Sequence, residues 1–357
     1  MSKVIRIISA SVMLTVLSAI ILAGCGNRHS DKAGLNKSDI TETLSQTLES
    51  EKDSQMNSRS EENTDTEITD TEAEDSGQVD SEDGSQEETS NPYIIVREPY
   101  TGVPVYEDME HIYMNTTWEY ADHSAISDGY AVLYKAAGER KNIVVGINAG
   151  HGTAGGSSVR TLCHPDGSPK STGGSTAAGA VTAAAVSGGM TFYDGTPESE
   201  VTLKMAEIFR DRLLSEGYDV LMIRDSSDVR LDNVARTVIC NNVADCHISL
   251  HWDGDGLSYD KGCFYIAVPD AIKDMSPVAD HWKQHDSLGA SLVDGLRGQG
   301  AKIHGSGSMA IDLTQTSYST VPSVDMELGN ASSDHSDAAL EILADGLVNG
   351  VSTFFGY

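Results

Sequence analysis

The sequence predicts an α/β fold: a mixed, mainly parallel β-sheet with helices on both faces and a metal site at the carboxyl ends of its strands. Three observations carry this expectation. From Ile143 onwards, short apolar runs rich in β-branched residues alternate with longer segments of roughly 3.6-residue apolar period, the pattern of strands joined by covering helices. Two of the short runs, 143–148 and 247–251, deliver His151 and His251 to strand ends, and ligands in such sheets bind where the strands end. Glycine flanks His151 on both sides as Gly150 and Gly152, so the backbone can bend there and other groups can approach.

The elements follow in chain order. Residues 93–141 mix Tyr93-Ile94-Ile95-Val96, a turn at 101–104 and an aromatic stretch through Trp118 and Tyr120; they read as a small ordered extension of unknown role. After the strand at 143–148 comes an insertion, 153–197, dominated by Gly, Ala, Ser and Thr. So long a loop inside a compact domain is uncommon and often functional; its middle, 177–186, is expected to form a helix of small residues. Val201, Met205, Ile208, Phe209 and Leu213 then mark an amphipathic helix over 198–216, stopped by Gly217. A strand at 218–224, a turn at 225–228 and a second helix at 231–242 lead to the strand with His251. Further strands at 262–268 and 323–328 and helices at 278–297 and 334–354 complete the domain, which spans 142–357.

The amino-terminal third has a different character. Lys3 and Arg6 precede an apolar stretch over 7–22 and the tetrad Leu22-Ala23-Gly24-Cys25, so residues 1–25 read as a secretory signal. The tetrad resembles the lipobox of bacterial lipoproteins, which implies cleavage before Cys25, acylation of its thiol and attachment to the extracytoplasmic face of the cell membrane. Residues 26–92 are nearly devoid of aromatic and branched apolar side chains and strongly acidic. Such a segment cannot bury enough surface to offset its ordering entropy, so it is expected to be a disordered linker reaching on the order of 45 Å. The whole chain of 357 residues carries a net charge of −30, which argues against nucleic acid as a partner.

Beyond Cys25 four cysteines remain: Cys163, Cys240, Cys246 and Cys263. An even number outside the cytoplasm permits disulfides, and Cys246 could face Cys263; buried free thiols are the favoured reading in so large a core. There is no C-x-x-C pair, so a zinc knuckle is not indicated.

Zinc in hydrolytic sites takes three His or carboxylate ligands and leaves one position open. His151 and His251 offer two nitrogens. Glu198, in the first turn behind Pro197, offers a carboxylate, although the helix dipole favours an acid there in any protein. Glu200 competes with it but lies about 200° around the helix, so only one of the two can face the site.

Motif order then becomes specific. Gly150-His151-Gly152, Glu198 five residues before Leu203, Gly217-Tyr218-Asp219-Val220 running to Arg224-Asp225, Arg236 with Asn241, Ser249-Leu250-His251, and Glu327-Leu328-Gly329-Asn330 follow one another. This series resembles the catalytic domain of zinc-dependent N-acetylmuramoyl-L-alanine amidases, which are peptidoglycan hydrolases. The resemblance implies that His151, Glu198 and His251 hold Zn²⁺, and that Glu327 is the catalytic carboxylate. It further implies that zinc-activated water cleaves the amide between N-acetylmuramic acid and L-alanine of the stem peptide.

Burial at the end of the apolar strand Val324–Glu327 would raise the pKa of Glu327 towards that of a proton carrier. Asp325 shares its face one step deeper. Arg236 and Asn330 are candidates for touching substrate or supporting the ligands. Three departures stand out: the long insertion, Asn148-Ala149 before the first Gly-His, and Trp252-Asp253-Gly254 after the second histidine. Cys163 and His164, inside the insertion, are themselves potential zinc ligands, although plain loop packing is the favoured reading. A non-catalytic cell-wall-binding lipoprotein on the same fold and another zinc peptidoglycan peptidase are the alternative readings.

Overall fold

The computed structural model describes residues 105–357. The signal and lipobox with Cys25, the acidic linker 26–92 and the start of the 93–141 segment lie outside the described residues.

In chain order the strands are β1 (Tyr106–Tyr113), β2 (Tyr130–Ala136), β3 (Val144–Ala149), β4 (Arg160–Leu162), β5 (Thr182–Ala184), β6 (Asp219–Met222), β7 (Cys246–Asp253), β8 (Cys263–Ala267), β9 (Ile303–Ala310) and β10 (Ser323–Asn330). The helices are α1 (Glu198–Ser215), α2 (Asn233–Val243), α3 (Val278–Gly298), α4 (Thr314–Tyr318) and α5 (Asp337–Phe355). Eight strands form one sheet in the order β1-β2-β6-β3-β7-β10-β8-β9. The central four, β6, β3, β7 and β10, are mutually parallel, so their carboxyl ends share one rim. β1 and β2 extend one edge antiparallel, and β8 joins β10 antiparallel on the other side.

Strand alternation sorts the side chains onto two faces. On one, Val145, Ile147, Ile248, Leu250, Val324 and Met326 pack under residues of α1, α3 and α5. On the other, Leu221 and Ile223 pack with Ala235 and Ile239 of α2, and α2 in turn packs on Tyr318 of α4. Helices therefore cover both faces, as the sequence predicts. Local signals set their ends. Asp232 caps α2 by accepting from Ala235 N (2.8 Å), and Ser336 caps α5 by accepting from Ala339 N (3.4 Å). Gly217, in left-handed conformation, follows α1. The apolar α5 is a core helix, with Leu340, Ala344, Leu347, Val348 and Val351 buried.

Several sequence expectations change. Residues 177–186 form no helix: Thr182–Ala184 is a strand paired with Arg160–Leu162. A run of small residues offers a helix no apolar face to bury, and Gly179 at φ 83° breaks the helical path. The cysteines, by contrast, follow the favoured reading: Cys246 and Cys263 make no bridge, all four cysteines among the described residues are buried free thiols, and Cys263 donates its S–H to the Leu328 carbonyl (3.3 Å). The 93–141 segment contributes β1 and β2 to the sheet that carries the site, so the sheet begins before residue 142. β9 and α4 also had no sequence signal, because Ile303–Ala310 alternates small and polar residues without an apolar run.

Candidate metal centre and active site

His151 ends the turn after β3 in the left-handed conformation (φ 65°), a backbone state uncommon outside glycine and enriched at functional sites. Two buried arginines hold it there. Arg236 of α2 donates to the carbonyls of His151 (2.6 Å) and Ala149 (3.2 Å) and to Asn148 Oδ1 (2.9 Å). Arg224, two residues past β6, donates to the carbonyls of Ala149 (3.1 Å) and Gly150 (3.0 Å). Turn carbonyls that point into the protein are thereby satisfied by charged donors. Arg236 thus positions the His151 turn. Gly150 is required by packing, since a Cβ there would lie 2.3 Å from the His251 ring.

His251 comes from β7, on the face that also carries Ser249. Beneath it runs a buried polar chain in which Asn148 Nδ2 donates to Ser249 Oγ (2.8 Å) and Ser249 Oγ to Gln315 Oε1 (2.5 Å). Glu198 enters from the first turn of α1, with the helix dipole favouring its charge. It is 2% exposed, whereas Glu200 faces solvent. Both of its oxygens are fixed by backbone donors: Trp252 N to Oε1 (3.0 Å) and Met190 N to Oε2 (2.8 Å).

Three ligand atoms converge. His151 Nε2 lies 2.9 Å from Glu198 Oε1, His251 Nδ1 lies 3.1 Å from the same oxygen, and the two histidine nitrogens are 3.1 Å apart. His151 Nδ1 faces the carbonyl of Ser187 (2.9 Å). A carbonyl only accepts, so Nδ1 carries the proton and Nε2 presents its lone pair to the cluster. Burial works against the ionised Glu198, but the neighbouring His151 and His251 outweigh it and hold the carboxyl well below the usual range. His251 is likewise opposed by burial, yet Asp325, then Glu198 and Glu327, push it up to about 10. The ionised Glu198, beside two imidazole nitrogens, makes a site that attracts a cation. The donor set and spacings fit a zinc-sized ion, because bonds of about 2.0–2.2 Å in tetrahedral array separate ligands by roughly 3.3 Å.

β10 supplies the neighbouring acids. Glu327 pairs in register with His251, and Asp325 with Ser249. Asp325 Oδ2 is 3.9 Å from His251 Nε2. Glu327 Oε2 and Asp325 Oδ1 are buried without a hydrogen-bond partner. Burial, then the charge of Asp325, pushes Glu327 well above the usual carboxylate range, and burial also raises Asp325. Asn330 does not join them. It is fully buried, with Nδ2 donating to Asp255 Oδ1 (3.1 Å) and the Tyr259 carbonyl (3.0 Å), so it shapes the loop after β7.

The end of the insertion lies against the cluster. Besides Ser187 and Met190, Gly189 passes so close that a Cβ would lie 2.8 Å from the His151 ring and 2.9 Å from Glu198 Oε2. A cleft lined by Ser157, Val186, Gly188, Thr153 and Asp228 opens beside this stretch. Cys163 and His164 are elsewhere. His164 is fully buried, and both ring nitrogens are taken, by Ser168 Oγ (2.8 Å) and Asp312 Oδ1 (2.8 Å). They are packing residues that fasten the insertion to the chain after β9. Sequence reasoning missed Arg224, Ser187 and Met190 as supports of the site. Only Arg224 left a trace, in the Arg-Asp pair that follows β6.

Comparison with known proteins gives the family. The Amidase_3 family of N-acetylmuramoyl-L-alanine amidases matches residues 145–347, and the chain belongs to that family. It is a peptidoglycan amidase, acting on the amide that joins N-acetylmuramic acid to L-alanine. Among solved structures, an N-acetylmuramyl-L-alanine amidase of Mycobacterium smegmatis is similar at 19% identity, covering 61% of this chain and 99% of that one (TM-score 0.49). N-acetylmuramoyl-L-alanine amidases of Nostoc punctiforme (14% identity, 61% and 99% covered, TM-score 0.45) and Clostridium difficile 630 (14%, 60% and 97%, TM-score 0.44) are similar as well. No curated protein matches the chain significantly.

Proposed function

We propose that His151, Glu198 and His251 hold one zinc ion and that the amidase reaction depends on it. The observation that carries this reading is the convergence of two nitrogen lone pairs and a carboxylate oxygen, all within 4.8 Å of one another, with the His151 tautomer set by Ser187. When bound in such a site, zinc lowers the pKa of water and polarises an amide carbonyl.

The chain's own residues perform the remaining tasks. Glu327 accepts the proton of the attacking water at its unpartnered Oε2 and passes it to the leaving nitrogen of L-alanine. Its raised pKa suits a group that must hold that proton between the two transfers. Asp325 faces the outer nitrogen of His251 and orients the ring, and Ser187 does the same for His151. The insertion end, through Ser187 to Met190, closes one wall of the site. Chelation is expected to abolish hydrolysis, and one equivalent of zinc per chain to restore it. Full activity in protein depleted of metal would refute the dependence.

The tetrad ending at Cys25, by its likeness to a lipobox, supports a lipid-anchored enzyme on the extracytoplasmic face of the cell membrane. There the acidic 26–92 segment would act as a tether to the peptidoglycan. The mass of the mature amino-terminal peptide tests this: a diacylglyceryl-modified Cys25 is expected, and an unmodified, uncleaved terminus would contradict it.

A further inference from the structure

We propose that Tyr193 and Tyr259 form a stacking platform for the sugar strand of peptidoglycan, next to the metal-binding cluster; the proposal rests on the amidase reading above. Tyr193 is 63% exposed and Tyr259 is 60% exposed. A single exposed aromatic on a surface needs no explanation, but Tyr193 is not free to move. Its hydroxyl donates to the Leu257 carbonyl (2.9 Å) and its N–H to the Ala331 carbonyl (3.2 Å). The ring is therefore fixed between the loop after β7 and the turn after β10 while most of its surface meets solvent. A ring held in this way loses little freedom when a ligand stacks on it.

Both residues sit on segments tied to the site. Three residues before Tyr193, Met190 N binds Glu198 Oε2, and three residues of chain reach at most about 11 Å. The Tyr259 carbonyl accepts from Asn330, the last residue of the strand that carries Glu327. Lys302 Nζ lies 5.8 Å from the centroid of the Tyr259 ring, and the residue is exposed.

The surrounding charge selects between the two arms of the substrate. Asp194, Asp255 and Asp260 lie in the same loops and Asp253 ends β7; Lys261 is already paired with Asp253 (2.5 Å) and Asp255 (3.4 Å), and His335 faces Asp194 (3.1 Å). This acidic rim repels the free carboxylates of a stem peptide. A pyranose ring brings hydroxyls, an acetamido group and an apolar C–H face suited to the negative face of an aromatic ring. The lactyl carboxyl of the substrate is neutral because it is tied up in the amide.

The test uses the full chain with Tyr193→Ala and Tyr259→Ala, and with Tyr193→Phe and Tyr259→Phe as variants that keep the rings. Binding to chitin oligosaccharides, which carry acetamido pyranoses and no lactyl carboxylate, is measured, together with kcat/KM on long-strand peptidoglycan and on a single-sugar muramoyl peptide. Each alanine variant is expected to lose about tenfold in affinity for the oligosaccharide. Its long-strand to single-sugar ratio of kcat/KM should fall by a similar factor, with both phenylalanine variants close to the parent. Undiminished binding to the glycan in the alanine variants would overturn the proposal. So would an equal loss on both substrates, which would assign the rings to the peptide arm. A parent chain that hydrolyses neither substrate would instead refute the amidase reading.

Discussion

Glu327→Gln is expected to lower turnover by about 10²- to 10⁴-fold while the protein keeps its zinc. The substitution retains shape and removes only the ability to carry a proton. Glu327 is no member of the ligand triangle: the converging atoms belong to His151, Glu198 and His251, and Glu327 stands opposite His251 on the adjacent strand. Its Oε2 is buried without a partner, so an amide there breaks no hydrogen bond. Removing one of two adjacent buried acids also relieves their mutual repulsion, so stability should not fall. Steady-state kinetics alongside metal analysis checks this; near-normal turnover would remove Glu327 from the reaction, and loss of zinc would make it a ligand.

Glu198→Gln is expected to strip the metal, whereas Glu200→Gln is not. Glu198 provides a ligand oxygen whose charge is held by two backbone donors and two histidines. An amide in its place puts a neutral group, with an N–H₂ end, among fixed donors. Zinc affinity should fall by more than the roughly 10–100-fold that loss of an outer supporting group costs, and hydrolysis should fall with it. Glu200 is exposed, so its substitution should change stability by no more than about 0.5 kcal/mol. Zinc stoichiometry after dialysis separates the two; metal lost only in Glu200→Gln would reverse the assignment.

How much of this could be read from the chain depends on whether each signal is local. His151 and His251 are legible because a glycine-flanked histidine at the end of a β-branched run carries its context with it. Glu198 is separable from Glu200 because two residues of helix rotate the side chain by about 200°. The supports are not legible in this way. Ser187, which sets the His151 tautomer, is 36 residues further on, and nothing around it announces that its carbonyl will be acceptor to a ligand. Asp312 meets His164 across 148 residues, so sequence left His164 a potential ligand where the fold makes it a buried anchor. β1 escaped notice because most of Tyr106–Tyr113 is exposed, leaving no apolar run to mark it. Arg224 and Arg236 bind carbonyls, and a carbonyl has no residue signature.

The most direct test of a metal-dependent amidase built on His151, Glu198 and His251 is mass analysis of peptidoglycan digested by the full chain, before and after zinc is restored to chelated protein. The account predicts intact stem peptides with free L-alanine amino termini and sugar strands lacking peptide, only in the zinc-restored digest. Cuts within the peptide, cuts between sugars, or the same products from chelated protein would contradict it.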